Sequence, residues 1–138
     1  MFTSILVDFD AVHLSDQAAG RVLELAKAAG ASVTLLVIRA QLDNVMSKSE
    51  DDFITKVKAQ IAPQFEPLKR QAEVLGVPLE LAVTWGDETE QLLAQVQQGG
   101  YDLLVIGKQH TGGLIHAIEG VVWKTVVARA PFPVLVFP

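Results

Sequence analysis

Short runs of β-forming apolar residues recur along this chain, separated by longer stretches with helical spacing. The runs are SILVDF (4–9), VTLLVI (33–38), the alternating Leu79, Leu81 and Val83, LLVI (103–106) and PVLVF (133–137). Continuous apolar runs of this length suit strands buried on both faces. Between them, Ala18, Val22, Leu25, Ala26 and Ala29 fall at helical spacing, as do Phe53, Val57, Ile61, Phe65 and Leu68. Leu92, Leu93 and Val96 mark a third helix, and Val121, Val122, Thr125 and Val126 a fourth. Strand and helix alternating to the end predict a doubly wound α/β domain with a five-stranded parallel sheet. Right-handed crossovers then place helices on both of its faces. No linker, repeat or low-complexity tract divides residues 1–138, so a single domain is expected.

Local signals punctuate this pattern. Ser15 and Asp16 suit a helix start, and Gly30 its end. Residues 39–48 read as a loop. Ser49 with Asp52 resembles a capping box. Pro63 and Pro67 fall inside the following helix and predict a break or kink there. Gly76 closes that helix, Asp87 caps the next and Gly99-Gly100 ends it. Gly120 leads into the last helix, which Pro131 stops.

Composition removes several function classes. The absence of cysteine excludes a disulfide scaffold, a thiol nucleophile, an iron–sulfur cluster and a cysteine zinc site. A net charge of −5 argues against nucleic-acid binding by bulk attraction. No apolar run approaches the roughly 18 residues of a membrane span. The opening MFTSILVDFD lacks the basic start and cleavage site of a secretory signal, so the expected compartment is the cytoplasm.

Open α/β sheets bind ligands at the carboxyl ends of their strands. Two loops expected at that edge are chemically distinctive: Asp8-Phe9-Asp10 after the first strand and GKQHTGG (107–113) after the fourth. The second is glycine-rich and precedes the helix that starts at Gly120. Bare amides and a helix dipole make an anion site there, and Lys108, His110 and His116 add positive potential. Gly107 and Gly112 have the first spacing of a Walker A loop. Gly113-Leu114 stands where its Lys-Ser/Thr would be, so that reading is rejected. Glycines that merely turn a long loop remain the plain alternative.

Asp8-x-Asp10 also resembles the opening of haloacid-dehalogenase-type phosphatases. In that resemblance Asp8 is a nucleophile and Asp10 a general acid/base around magnesium. Val12 replaces the expected Thr, and no acidic pair follows the fourth strand. On the simpler reading, Asp10 caps the strand–helix turn and Asp8 is solvated. There is no G-x-S-x-G, H-E-x-x-H or G-x-G-x-x-G, so no enzyme is expected. His13, His110 and His116 are too scattered for a metal site, and Trp85 and Trp123 are read as packing residues.

The layout and one motif resemble the universal stress protein family. Its G-x2-G-x9-G-[S/T] frame appears here as Gly107-KQ-His110-TGGLIHAIE-Gly120-Val121. ILVDFD, WGDETEQLL, YDLLVIG and APFPVLVFP carry the likeness over essentially the whole chain. The resemblance implies an adenine nucleotide α-hydrolase-like fold with strand order 3-2-1-4-5, which sets Asp10 and Gly107 in one cleft. In the family's nucleotide binders, an aspartate after strand one contacts adenine, a position that Asp10 matches. Ile38 matches a pocket residue late in strand two. Gly107 and Gly120 match the glycines that hold ribose and phosphates.

Two motif positions depart. His110 replaces the second glycine, and Val121 replaces the Ser/Thr and offers no hydroxyl. Glu119 sits beside the expected phosphate site, and Asp8 stands where the family usually has a small or apolar residue. Like charges near a triphosphate repel it, so weak or no ATP binding is expected. AMP, another less charged adenine nucleotide or a small anion stays open.

The last strand, 133–137, is expected at a sheet edge, where antiparallel pairing with a second copy would cover it. Family members commonly dimerise in this way. The expected protein is a cytoplasmic stress-response regulator that works as a homodimer through protein contacts. The alternatives are an adenine-nucleotide sensor using the Asp10, Gly107 and Gly120 cleft, and a magnesium-dependent phosphohydrolase using Asp8 and Asp10.

Overall fold

Ser4–Asp8 (β1) is the middle strand of a five-stranded sheet. Ser32–Arg39 (β2) and Leu79–Trp85 (β3) extend the sheet on one side, and Leu103–Gly107 (β4) and Val134–Phe137 (β5) on the other. The computed structural model describes residues 2–9, 16–39, 48–107 and 124–137. All strand pairs are parallel, in the order β3-β2-β1-β4-β5. Asp16–Ala29 (α1), Glu50–Leu75 (α2) and Glu88–Gln98 (α3) connect successive strands. Residues 124–129 are helical as well. The expected architecture and strand order are those observed.

Alternation along the strands explains the two-sided core. Ile5, Val7, Val33, Leu35, Val37, Leu103 and Val105 face α1 and α2, where they meet Val22, Leu23, Phe53, Val57 and Ile61. Leu6, Leu36, Leu104 and Ile106 face the other way, against Leu92 and Val96 of α3 and Val126. A strand buried on both faces needs apolar residues at every position, which is why β1, β2 and β4 read as unbroken runs.

Helix ends follow local chemistry. Ser49 is extended (φ −157°, ψ 170°) and accepts from the Asp52 amide at 3.1 Å. Asp52 in turn accepts from the Lys48 amide at 3.0 Å, one residue before the cap. Gly76 takes φ +71°, and the Val77 amide reaches back to the Ala72 carbonyl at 2.9 Å. Gly30, at φ +69°, ends α1 in the same way through Ala31 and Ala26. Asp87 caps α3 by accepting from the Glu90 amide at 3.0 Å.

The expected break at the prolines does not occur: α2 runs unbroken through Pro63 and Pro67. Both prolines are exposed, opposite a buried stripe of Phe53, Val57, Ile61, Leu68 and Ala72. The carbonyls they leave without an amide belong to Ala59 and Pro63, also exposed residues, where water can serve them. The strands differ from expectation only at their ends. β2 and β3 stay paired as far as Arg39 and Trp85, two residues beyond the alternating apolar run of β3.

Candidate functional site

The winding reverses between β1 and β4, since the chain steps from β1 to β2 and β3 and then returns to the other side. This switch point is where an open α/β sheet leaves a crevice at its carboxyl edge. Asp8, Arg39, Trp85, Gly107 and Phe137 end the five strands there.

Asp8 is the last residue of the central strand. It pairs in register with Leu36 of β2, and β4 flanks it on the other side through Val7 and Val105. The Phe9 amide donates to the Leu36 carbonyl at 2.8 Å and carries the ladder one residue further. Two residues after Leu6, Asp8 shares the face of Leu6, Leu36 and Ile106. Its exposure is 5%, and it is the one buried charged residue among the described residues. The expectation that Asp8 is solvated is thus overturned. A strand with neighbours on both sides leaves its terminal residue little access to water.

Ile38 lies on that same face, two residues beyond the partner of Asp8, and packs on the α3-side cluster. Gly107 is buried at the end of β4, across β1 from Ile38. The fold therefore brings Ile38, Asp8 and Gly107 to the carboxyl edge of the sheet, around the switch point. Asp10, His110, Gly120 and Val121 lie outside the described residues, as do Lys108, Glu119, Trp123 and the three histidines.

The α2 face of the same edge is built differently. Trp85 packs edge-to-face on Phe53, with centroids 5.3 Å apart and planes at 75°, which is the packing role expected for it. Arg39 is the register partner of Trp85, and its carbonyl accepts from the Gly86 amide at 2.9 Å. Sequence reasoning passed over Arg39. Its signal was a cation at the end of an otherwise apolar strand. Gly86 turns with φ +131° and lets Asp87 cap α3, while Thr84 donates to Gln91 Oε1 at 3.0 Å. On α1, Arg21 lies 5.9 Å from the centroid of Phe137.

The opposite edge carries a polar cleft of about 250 Å³, lined in part by Ser4, Ser32, Thr34, Glu80 and Tyr101. It opens at the amino ends of the strands, away from the switch point. Beside it, Asp102 ties β1 to β4. Its carboxylate accepts from the amides of Ser4 and Thr3 at 3.0 and 2.9 Å and from the Thr3 hydroxyl at 3.0 Å. The Ser4 and Thr3 amides hold this carboxyl below its ordinary range. Among the described residues no cluster of three or more His, Cys, Asp or Glu could hold a metal ion, and no helix is long and apolar enough to cross a membrane.

Solved structures share this fold. A universal stress protein in complex with cAMP superposes with a TM-score of 0.73 at 17% identity, covering 99% of this chain and 97% of the other. A member from Burkholderia pseudomallei gives 0.68 at 21%, covering 99% and 96%. One from Arabidopsis thaliana with AMP bound gives 0.63 at 20%, covering 98% and 90%. At these identities the likeness is one of fold. No curated protein matches the sequence. A profile of the universal stress protein family matches residues 1–138, and the chain belongs to the universal stress protein family.

Proposed function

We propose that this chain is a non-enzymatic, cytoplasmic regulator in stress response that works as a two-fold homodimer through β5. The observation that carries this reading is the β5 edge. Among the described residues β5 pairs on one side only, with β4, and leaves its outer amides and carbonyls unmatched within the sheet. Leu135 is 36% exposed there. Antiparallel pairing of β5 with its copy would satisfy those groups and cover Leu135. Leu135→Lys places a charge at the centre of that contact. Light scattering should give twice the chain mass for the parent protein and the single-chain mass for the variant. A parent protein of single-chain mass, or an unchanged dimer in the variant, refutes the pairing.

A second reading concerns the carboxyl-edge cleft, which takes an adenine ligand and binds ATP weakly or not at all. The placement of Ile38 and Gly107 at the carboxyl edge, on strands that flank β1, supports it. So do the cAMP and AMP held by two structural relatives. Asp10, Gly120, His110 and Val121 complete the proposed site. The burial of Asp8 counts against magnesium-dependent phosphohydrolysis, because a nucleophilic carboxylate must be reached by its substrate.

A further inference from the structure

We infer that the polar cleft at the amino edge of the sheet binds a small organic ammonium ion. Strand register builds this cleft. Ser4 pairs with Ser32, and Thr34 with Glu80. Ser4, Thr34 and Glu80 each stand two residues before Leu6, Leu36 and Ala82, which belong to the α3-side cluster. The four polar residues therefore share the face that α3 covers further along the strands. At the amino edge α3 has reached its end, and its C-cap Gly99 lines the cleft together with Tyr101. A Cβ at Gly99 would run into the Tyr101 ring, so the ring lies close against the chain where α3 stops.

The cleft selects a positive charge. Among the described residues that line it, Glu80 alone is charged. The C-terminal end of α3 adds the negative end of a helix dipole, and no basic residue stands in its last turn. Asp102, whose carboxylate accepts from the Ser4 amide, brings a further negative charge beside the cleft. The hydroxyls of Ser4, Ser32, Thr34 and Tyr101 can accept hydrogen bonds, and a primary ammonium has three donors and no acceptor. A divalent metal suits the lining less well, because it takes a shell of several carboxylate or carbonyl oxygens. The volume of about 250 Å³ falls below the roughly 300–1,000 Å³ of pockets for drug-sized ligands, so a short-chain amine fits. Ser4, Ser32 and Thr34 are half-buried and Glu80 is exposed, which leaves the carboxylate within reach from solvent.

The test is titration of the whole isotope-labelled chain with putrescine, and with butanediol as its uncharged match, followed through amide NMR shifts at low salt. Putrescine at millimolar concentration should move the amides of Ser32, Thr34, Glu80 and Tyr101 in a saturable way, and butanediol should not. Glu80→Gln, checked for native circular dichroism, should weaken putrescine about fivefold, the scale of an exposed ion pair. The chain carries a net charge of −5, so diffuse attraction of any cation is the competing outcome. Shifts that do not saturate, or that centre on Glu50, Asp51 and Asp52 instead, overturn the proposal. So do equal shifts with butanediol, or an unchanged affinity in folded Glu80→Gln. The comparison of putrescine with butanediol decides the matter even if that variant does not fold.

Discussion

Asp8 and Asp102 are both aspartates at strand ends, and position gives them opposite settings. Asp102 stands at the amino edge, where the first amides of β1 point outward and need an acceptor. Two of them and a hydroxyl converge on its carboxylate. Because its folded pKa lies below the ordinary 3.8, its contribution to stability is present above that value. It is lost as pH falls through the lower, folded pKa. Asp102→Asn should therefore lower Tm at neutral pH. The gap between variant and parent should close on acidification below about pH 4. Thermal melts across that range check the sign, and a gap that widens with acid would contradict it. Asp8 ends the same strand at the carboxyl edge, where it is 5% exposed.

At the scale of elements, α2 shows how tertiary burial outweighs local preference. Its caps agree with its sequence, and its stripe of Phe53, Val57, Ile61, Leu68 and Ala72 anchors both halves to the sheet. Burying five such side chains stabilises the helix by several kcal/mol, at about 25 cal/mol per Å² of apolar surface removed from water. Each interior proline costs about 3 kcal/mol relative to alanine, a cost eased where the freed carbonyl is solvated. Pro67→Ala should restore a hydrogen bond to the Pro63 carbonyl. It should raise stability by about 1 kcal/mol, the gain being reduced by the greater entropy of the unfolded chain. Chemical denaturation measures this, and a destabilised variant would mean that Pro67 holds a bend the fold needs.

For the whole molecule, the sheet has two edges of unlike character. β3 runs for seven residues, all at least partly exposed, and is tied to α3 through Thr84 and Gln91. β5 runs for four residues and shows Leu135 to solvent. If β5 pairs with its copy, dimerisation is linked to folding, and Tm rises with protein concentration. The parent protein should show this over a hundredfold dilution series, while Leu135→Lys should melt at one temperature throughout. A parent Tm independent of concentration would speak for a monomer.

The sequence by itself determined what depends on neighbours along the chain. Strand–helix alternation came from apolar periodicity, and the ends of α1, α2 and α3 from Gly30, Ser49, Gly76 and Asp87, whose conformations are settled within a few residues. The strand order was legible only through the family frame. Nothing local distinguishes which parallel strand lies beside which. The positions of Ile38 and Gly107 at the carboxyl edge were legible from the sequence, but the surroundings of Asp8 were not. Tertiary structure alone decided that Asp8 is buried, that α2 passes intact through two prolines and that Asp102 clasps the start of β1. Each depends on groups far apart in the chain, 98 residues in the case of Ser4 and Asp102, and only folding sets their distance and their access to water.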